Sequence, residues 1–202
     1  MSRRRVGSNQ YRSTWASDGA VAVATPDLMR HGRRRPPTTP QCLASFPTLQ
    51  WLAPGSLARL FAASRFPTGV RCSSSAGLIY NDRGQMLLVR VIKRGWDIPG
   101  GHLDPGESPT EALVRETAEE AGIEVEGAEP AGYLLIKEPD QEPAFIGLHT
   151  ARATGKPHPQ PGWEDEVDAA AWVSDSQVHD LAGTRVWTPL WRYLRQDALH
   201  AQ

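Results

Sequence analysis

Hydrophobic and polar positions follow two different periods along this chain, and the period of a strand dominates its middle. Apolar and β-branched residues run in short stretches bounded by Gly, Pro, Asn or Asp, a pattern that predicts strands. Ahead of them, Leu57, Leu60 and Phe61 recur at helical spacing and predict a short helix over Ser56–Arg65. The predicted strands are Val70–Asn81, Gln85–Ile92, Trp96–Pro99, Ile123–Glu138, Ala144–Thr154 and Val167–Val173.

The helical period returns after the third predicted strand and again at the end of the chain. The first of these helices has Ser108 as its N-cap, Pro109 at its first position and Gly122 as its stop. Ser174 caps a short helix, and a final helix with an apolar stripe runs from Thr188 to about His200. Strands interleaved with helices in this order predict an α/β fold, a mixed β-sheet with helices on both faces.

Composition is that of a single globular domain with an extension. The chain has 202 residues, 40% of them hydrophobic, which is enough to bury a core. No apolar run approaches the roughly 18 residues of a membrane span, so no membrane partner is expected. Cys42 and Cys72 are the only two cysteines, without the spacing of a zinc site, and no signal peptide is recognisable. We therefore expect a reducing, cytoplasmic location.

Charge divides the chain into a basic start and an acidic body. Residues 1–40 contain eight Arg and two Asp, a charge of +6, so the net charge of −1 leaves −7 for the rest. An acidic body argues against nucleic acid as the main partner. The start is predicted to be a disordered extension. It either has no function, as when a start codon is placed too early, or contacts an anionic surface or nucleic acid.

The segment between the extension and the first long strand is interpreted as a linker. Residues 41–69 would carry the short helix, and would either pack on the main domain or support a homodimer. The main domain is expected to cover residues 70–200.

The clearest chemical pattern lies on the helix that Ser108 caps. Glu116, Glu119 and Glu120 share one face of it, where three carboxylates repel one another unless something neutralises them. A hard divalent cation can do so, and Mg²⁺ favours a few carboxylates together with phosphates and water. Arg115, four residues before Glu119, can hold part of the cluster. The alternative is a solvated acidic face, which is what most runs of charge are.

The residues around this face have the spacing of a known signature. Gly101, five residues, Glu107, seven residues and the run RETAEEAGI resemble the signature of the Nudix (MutT-like) hydrolases, G-x5-E-x7-R-E-U-x-E-E-x-G-U with U aliphatic. The one departure is Thr117, where an aliphatic residue is usual. The resemblance covers roughly Val70–Leu194 and implies the Nudix α/β/α sandwich with a mixed β-sheet.

The resemblance also implies an activity and a set of site residues. Nudix enzymes hydrolyse a nucleoside diphosphate linked to another moiety X, using Mg²⁺ or Mn²⁺, to a nucleoside monophosphate and phosphorylated X. Gly101 and three glutamates would bind the metal, while Glu107 and Arg115 would orient them. The three metal-binding glutamates would be Glu116, Glu119 and Glu120. The general base is left open between one of the signature glutamates and a carboxylate of a later loop, Glu164 or Glu166.

That later loop, Gly155–Glu166, is rich in Pro and follows a strand expected to end near the site. We expect it to close over the substrate, with Trp163 contacting the nucleotide. Lys93 and Arg94 could steer phosphates, but are interpreted as solubilising surface residues.

The substrate and the exact role stay open at this stage. ADP-ribose, a nucleoside triphosphate, a dinucleotide and a nucleotide sugar all fit a site defined only by its phosphate chemistry. A Nudix-fold module that senses a nucleotide without cleaving it is the alternative to a hydrolase. An isomerase is disfavoured because no cysteine lies near the signature.

Overall fold

The computed structural model describes residues 40–47, 49–163 and 165–199 of the chain. The extension predicted over residues 1–40 lies outside these ranges except for Pro40, and Glu164 lies outside them too. Within them the chain forms nine strands and three helices. In chain order they are β1 (Gln41–Phe46), β2 (Leu57–Ala62), β3 (Arg71–Tyr80), β4 (Met86–Val91), β5 (Gly95–Asp97), β6 (Gly100–His102), α1 (Pro109–Ala121), β7 (Glu126–Lys137), β8 (Ala144–Arg152), β9 (Val167–Val173), α2 (Asp175–Ala182) and α3 (Thr188–Leu199).

The nine described strands form one mixed sheet. Its order is β1-β2-β7-β8-β3-β4-β5, with β6 paired to β3 and β9 paired to β4. The β3–β8 pair is parallel, and the other described pairs are antiparallel. Because β3 pairs with β8 on one side and with both β6 and β4 on the other, it lies at the centre of the sheet.

Helices cover both faces of this sheet, as the alternation along β3 shows. Leu78 and Ile79 are both fully buried although adjacent residues of a strand point to opposite faces. Leu78 belongs to a core cluster that includes Trp187 and Leu190, before and within α3, whereas Ile79 packs in a second cluster with Leu113 of α1. The predicted α/β/α sandwich is therefore confirmed.

Most predicted elements have the bounds expected of them. The strand over Val167–Val173 agrees to the residue, and α1 begins at Pro109 and ends before Gly122 as predicted. The strand predicted from Ile123 begins only at Glu126, and Ile123 packs in the core cluster with Leu113 and Ala121 of α1. None of the three described helices is long and apolar enough to cross a membrane.

The short helix predicted over Ser56–Arg65 is wrong. Most of this stretch is β2, whose buried residues alternate at Ala58, Leu60 and Ala62 while Leu57 is half exposed. The strand pairs with the second half of β7, residues Gly132–Lys137, and β1 pairs with its other side. Backbone pairing to an open sheet edge outweighs the weak local preference for helix in such a short segment. The predicted linker 41–69 thus contributes two strands to the sheet.

Candidate functional site

The helix α1 is built by local signals that are all present in the sequence. Ser108 Oγ accepts a hydrogen bond from the Glu111 N–H, and the Glu111 carboxylate accepts one from the Ser108 N–H, forming a capping box. Gly122 ends the helix in the left-handed conformation at φ 63°. Thr117, the departure from the signature, is fully buried and donates its hydroxyl to the Leu113 carbonyl at 2.7 Å. Its polar atom is therefore satisfied within the helix.

Two adjacent glycines allow the strand β6 to fit between β3 and α1. Gly100 has φ 153°, and a Cβ there would lie 2.3 Å from the Ser75 carbonyl oxygen of β3. A Cβ on Gly101 would lie 2.3 Å from Oε1 of Glu116 on α1. A side chain at Gly100 would clash with the backbone of β3, and one at Gly101 would displace the Glu116 carboxylate, so the glycines bring the backbone of β6 against the carboxylate face of the helix.

Arg115 holds the carboxylates of the signature together. Its Nε and Nη2 donate to the two oxygens of Glu107 at 3.0 and 2.9 Å. Its Nη1 donates to Glu116 at 2.9 Å and to Glu119 at 3.1 Å. Its Nη2 also donates to the His102 carbonyl at 2.9 Å, which ties the helix to β6. The hydrogen bonds from Arg115 are the main cause that lowers the pKa of Glu107.

Glu116 and Glu120 are the buried carboxylates of the face, each 8% exposed. Oε2 of Glu120 accepts a hydrogen bond of 2.9 Å from the Gly100 N–H. Burial raises the pKa of Glu120 to about 8, although the Gly100 N–H opposes the shift. Burial likewise raises the pKa of Glu116, and the charge of Arg115 opposes it. Removing these carboxylates from water is unfavourable unless positive charge is supplied.

The donors on this face suit a hard divalent cation. The carboxylates of three glutamates and the backbone of Gly101 are oxygen donors of the kind that Mg²⁺ prefers. In the described part of the chain, no three His, Cys, Asp or Glu side chains are arranged to hold a metal ion as they stand. Arg115 engages Glu116 and Glu119 instead. A cation would therefore have to replace or share these Arg115 hydrogen bonds.

The loop Gly155–Glu166 lies against the C-terminal end of α1. The N–H of His158 donates to the Ala121 carbonyl at 2.8 Å, and the N–H of Gln160 donates to the Glu119 carbonyl at 3.0 Å. Two of the carbonyls that a helix end leaves unpaired are thereby satisfied. The indole N–H of Trp172 anchors the start of the loop on the Gly155 carbonyl at 2.8 Å. This docking was not foreseen from the sequence.

The predicted functional residues of the loop lie beyond this anchor. Trp163 is half-buried, and its carbonyl accepts hydrogen bonds of 2.9 Å from the N–H groups of Glu166 and Val167. The side chain of Glu166 is exposed, and its carbonyl accepts from the Ile92 N–H at 2.8 Å. Of the two loop carboxylates singled out in the sequence, only Glu166 can thus be placed.

Arg94 and Asp97 lie on the β4–β5 hairpin; the sequence analysis weighed Arg94 as a residue that could steer phosphates and missed Asp97. The side chain of Arg94 is only 17% exposed, so its interpretation as a solubilising surface residue is wrong. Asp97 is buried and accepts hydrogen bonds from the Trp187 indole at 2.6 Å and the Ile98 N–H at 2.9 Å. The sequence signal for Asp97 was a charged residue between the hydrophobic residues Trp96 and Ile98. Both residues line a cleft with Ser74, Ser75, Ala76, Ile98, Gly100, Gly101, His102 and Ile146.

His149 is a second buried polar residue that the sequence analysis passed over. It lies on β8 with no exposed surface, and its Nδ1 and Nε2 are 3.2 Å from Ser75 Oγ and 3.4 Å from Thr110 Oγ1. Ser75 pairs with Gly101 across β3 and β6, and Thr110 lies in the first turn of α1. A histidine inside the apolar run AFIGLHTA was the signal that could have found it.

The sheet lies between two helix layers, and the glycines of β6 meet the carboxylates of α1 near its centre. This combination of fold and site defines the class of this protein. The model of the NUDIX domain matches residues 71–191, and the chain belongs to that family. The strands β1 and β2 precede the matched region.

Individual proteins resemble parts of the chain. It is 42% identical over 106 residues to a Bacillus subtilis protein considered to be an 8-oxo-dGTP diphosphatase, covering 50% of this chain and 65% of that one. It is 37% identical over 125 residues to the NAD-capped RNA hydrolase NudC of Pseudomonas entomophila, covering 60% and 42%. The chain thus matches less than two thirds of the length of either relative.

A solved structure supports the fold. The crystal structure of a mutant of the Bacillus subtilis pyrophosphohydrolase BsRppH is similar with a TM-score of 0.54 at 17% sequence identity, covering 72% of this chain and 91% of that one. This likeness concerns the fold alone.

Proposed function

We propose that the protein is a divalent-metal-dependent hydrolase that cleaves a pyrophosphate bond in a nucleoside diphosphate linked to another moiety X. The products are a nucleoside monophosphate and phosphorylated X. Membership of the NUDIX domain family supports the class of reaction. The observation that carries the proposal is the set of Glu116, Glu119 and Glu120 on one face of α1, with Glu116 against the backbone of Gly101.

The metal would be Mg²⁺ or Mn²⁺, held by Glu116, Glu119 and Glu120 together with the backbone of Gly101. When bound, it would neutralise the pyrophosphate and activate a water molecule for attack on phosphorus. Glu120 would be kept aimed at the site by the Gly100 N–H. The burial of Glu120 supports this assignment, because its hydrogen bond from Gly100 comes from a neutral backbone N–H and a cation would supply positive charge beside it.

Arg115 and Glu107 would position the ligands rather than bind the metal. The paired hydrogen bonds between them fix the guanidinium, and its remaining donors then fix Glu116 and Glu119. Such support of metal ligands by their neighbours commonly determines affinity and rate.

The general base would be a signature glutamate or Glu166. Glu166 ends the loop whose Gln160 N–H donates to the Glu119 carbonyl of α1, which supports it as a candidate. Glu164 stays a candidate from the sequence alone. Trp163 would contact the nucleotide, and the docking of its loop on α1 near Glu119 supports that role. Trp163→Ala should then raise KM, because base stacking on an aromatic ring is worth about 1–3 kcal/mol.

The proposal is tested by assaying hydrolysis of a panel of candidate substrates, chosen from the family and from the two relatives. It should contain 8-oxo-dGTP, dGTP, NAD, ADP-ribose, a diadenosine polyphosphate, a nucleotide sugar and NAD-capped RNA, each with Mg²⁺ or Mn²⁺. Activity on any one of them that is lost with a chelator and restored by the metal would support the proposal. Binding of a nucleotide without turnover would instead support a sensing module.

The decisive variant is Glu120→Gln. It should leave the protein folded and lower kcat at least about 10²-fold, the loss expected when an electrostatic catalytic group is removed. Glu124→Gln, an exposed carboxylate just past the helix, is the matched control and should keep full activity. Near-wild-type turnover in folded Glu120→Gln protein would rule out the proposed site.

A further inference from the structure

His149 is a fully buried histidine in the layer between the sheet and α1. It has no exposed surface, and it pairs across the sheet with Gly77 of β3, over which Leu113 of α1 packs. Burying an imidazole is unfavourable unless its nitrogens are hydrogen-bonded. An apolar side chain would fill the same space without this requirement. We therefore expect the hydrogen bonds of His149 to have a purpose beyond packing.

On one side, the imidazole is attached to the part of β3 that holds the two glycines of β6. Its Nδ1 lies 3.2 Å from Ser75 Oγ, and the Ala76 backbone also makes a hydrogen bond with the ring. Ser75 pairs with Gly101, and Ala76 pairs with Gly100. His149 is thus bonded to the two residues of β3 whose partners in β6 meet the carboxylates of α1.

On the other side, the imidazole reaches the helix that carries these carboxylates. Its Nε2 lies 3.4 Å from Thr110 Oγ1, in the first turn of α1. Further along the same helix, Glu120 accepts the 2.9 Å hydrogen bond from the Gly100 N–H of β6. His149 therefore forms a bridge between β3, which holds β6 in place, and the helix that β6 contacts.

Apolar packing alone does not fix α1 at this place on the sheet. Leu113 packs over Gly77, where an added Cβ would lie 2.7 Å from Leu113 Cδ1, so the helix approaches β3 closely. Such apolar contact is non-directional, whereas hydrogen bonds depend on distance and angle. A misplacement of about 1 Å in an active site can cost about 10²-fold in rate. The bridge through His149 supplies the direction that the packing at Gly77 lacks.

We propose that His149 is a positioning residue of the carboxylate site, whose bridge from β3 to Thr110 fixes where α1 presents Glu116 and Glu120 to β6. This inference rests on the proposed function, because it takes these glutamates as metal ligands. Because His149 is fully buried, it would touch neither the metal nor the substrate. It acts through Ser75 and Thr110 on the fit between the carboxylates and the β6 backbone, and so on metal affinity.

Direct Mn²⁺ binding to the full chain tests the inference without requiring turnover. Calorimetry gives the Mn²⁺ dissociation constant, and a thermal melt reports folding. His149→Leu removes both ring nitrogens. We expect it to fold but to bind Mn²⁺ at least about ten-fold more weakly, as when a group that orients metal ligands is removed. His149→Gln keeps a donor and an acceptor, and should recover part of that affinity.

Two threonines of α1 provide a matched pair of variants. Thr110→Val removes the hydroxyl that meets His149, whereas Thr117→Val removes a hydroxyl that donates to the Leu113 carbonyl within the helix at 2.7 Å. Thr110→Val should weaken Mn²⁺ binding at least about three-fold, the effect of losing one ordinary hydrogen bond. Thr117→Val should bind like the wild type. Added to His149→Leu, Thr110→Val should cause no further loss, because the bridge is already broken.

The outcomes separate this inference from the proposed function. Wild-type Mn²⁺ affinity in folded His149→Leu, or fully additive losses in the double variant, overturns the role of His149. If His149→Leu does not fold, the comparison of Thr110→Val with Thr117→Val decides, and equal Mn²⁺ affinities of these two overturn it. A wild type that binds Mn²⁺ but turns over no panel compound counts against the hydrolase, while the affinities of the variants still decide the role of His149. A wild type that binds no Mn²⁺ overturns both.

Discussion

Glu116 occupies the space beside Gly101, so that a Cβ at residue 101 would lie 2.3 Å from the glutamate Oε1. This contact gives a physical reason for the spacing between the two residues in the signature. β6 is fixed by its pairing with β3, and α1 packs on both strands. A glycine at residue 101 therefore leaves the Glu116 carboxylate in the position where Arg115 binds it.

Gly101→Ala should consequently damage the site more than the fold. The new methyl group would displace the Glu116 carboxylate from Arg115, and we expect kcat to fall at least about ten-fold with a stability loss of about 1–3 kcal/mol. Activity assays and urea unfolding measure the two effects. Gly127→Ala, at a glycine with open space around it, should lose some stability from its φ of 60° but keep its kcat. Equal activity in the two variants would contradict this account.

Arg115→Lys tests whether the fork of the guanidinium matters or only its charge. Arg115 makes hydrogen bonds to Glu107, Glu116 and Glu119 at once, and an ammonium cannot reproduce that geometry. We expect kcat to fall at least about ten-fold and the metal concentration for half-maximal activity to rise. Arg90→Lys, in the exposed pair with Asp168, serves as the control. A variant with unchanged kcat and metal dependence would show that Arg115 contributes charge alone.

The parts of the structure that the sequence predicted are those controlled by local chemistry. α1 was foreseen because Ser108, Pro109 and Gly122 each act on their immediate neighbours. The carboxylate face followed from helical geometry, and Arg115 does reach Glu119 as expected. Sequence and geometry agree on the oxygen donors that the proposed metal would use.

The parts that the sequence did not predict depend on distant segments. β2 was mistaken for a helix because alanine at residues 58 and 62 gives no clear strand pattern until β7 provides a partner. Arg94 looked like a surface residue because the hairpin that turns it inward depends on Arg185, far along the chain. The contacts of His149 could not be predicted from the sequence, because they depend on β3 and α1 meeting beside β8.

The corrected assignment of β2 makes a prediction of its own. A helix would bring Leu57 and Leu60 close to one face, whereas the strand buries Leu60 fully and leaves Leu57 50% exposed. Leu60→Ala should then cost about 2–5 kcal/mol of unfolding free energy, while Leu57→Ala should cost less than about 0.5 kcal/mol. Urea denaturation of both variants decides the matter. Similar losses in the two would contradict the strand and its register.

The last prediction concerns His149, which joins β8 to the two segments that form the site. Burial lowers the pKa of His149 to about 4, partly offset by a hydrogen bond with the Ala76 backbone. An unfolded histidine titrates near pH 6.5, so the unfolded chain binds a proton that the folded chain refuses. The stability contributed by the neutral imidazole is complete above pH 6.5 and declines as the pH falls towards 4. The full loss is about 3 kcal/mol for a shift of this size.

His149→Gln isolates this effect from the other groups that titrate in the same range. The amide keeps polar atoms near Ser75 and Thr110 but takes up no proton. Glu116 and Glu120, whose pKa values are raised, shift stability in the opposite direction, and they do so in wild type and variant alike. The difference in unfolding free energy between the two proteins should therefore shrink between pH 7.5 and pH 4.5, as measured by urea denaturation. A pH-independent difference would mean that His149 is protonated as easily in the folded chain as in the unfolded one, and that its burial between β8 and α1 has no electrostatic cost.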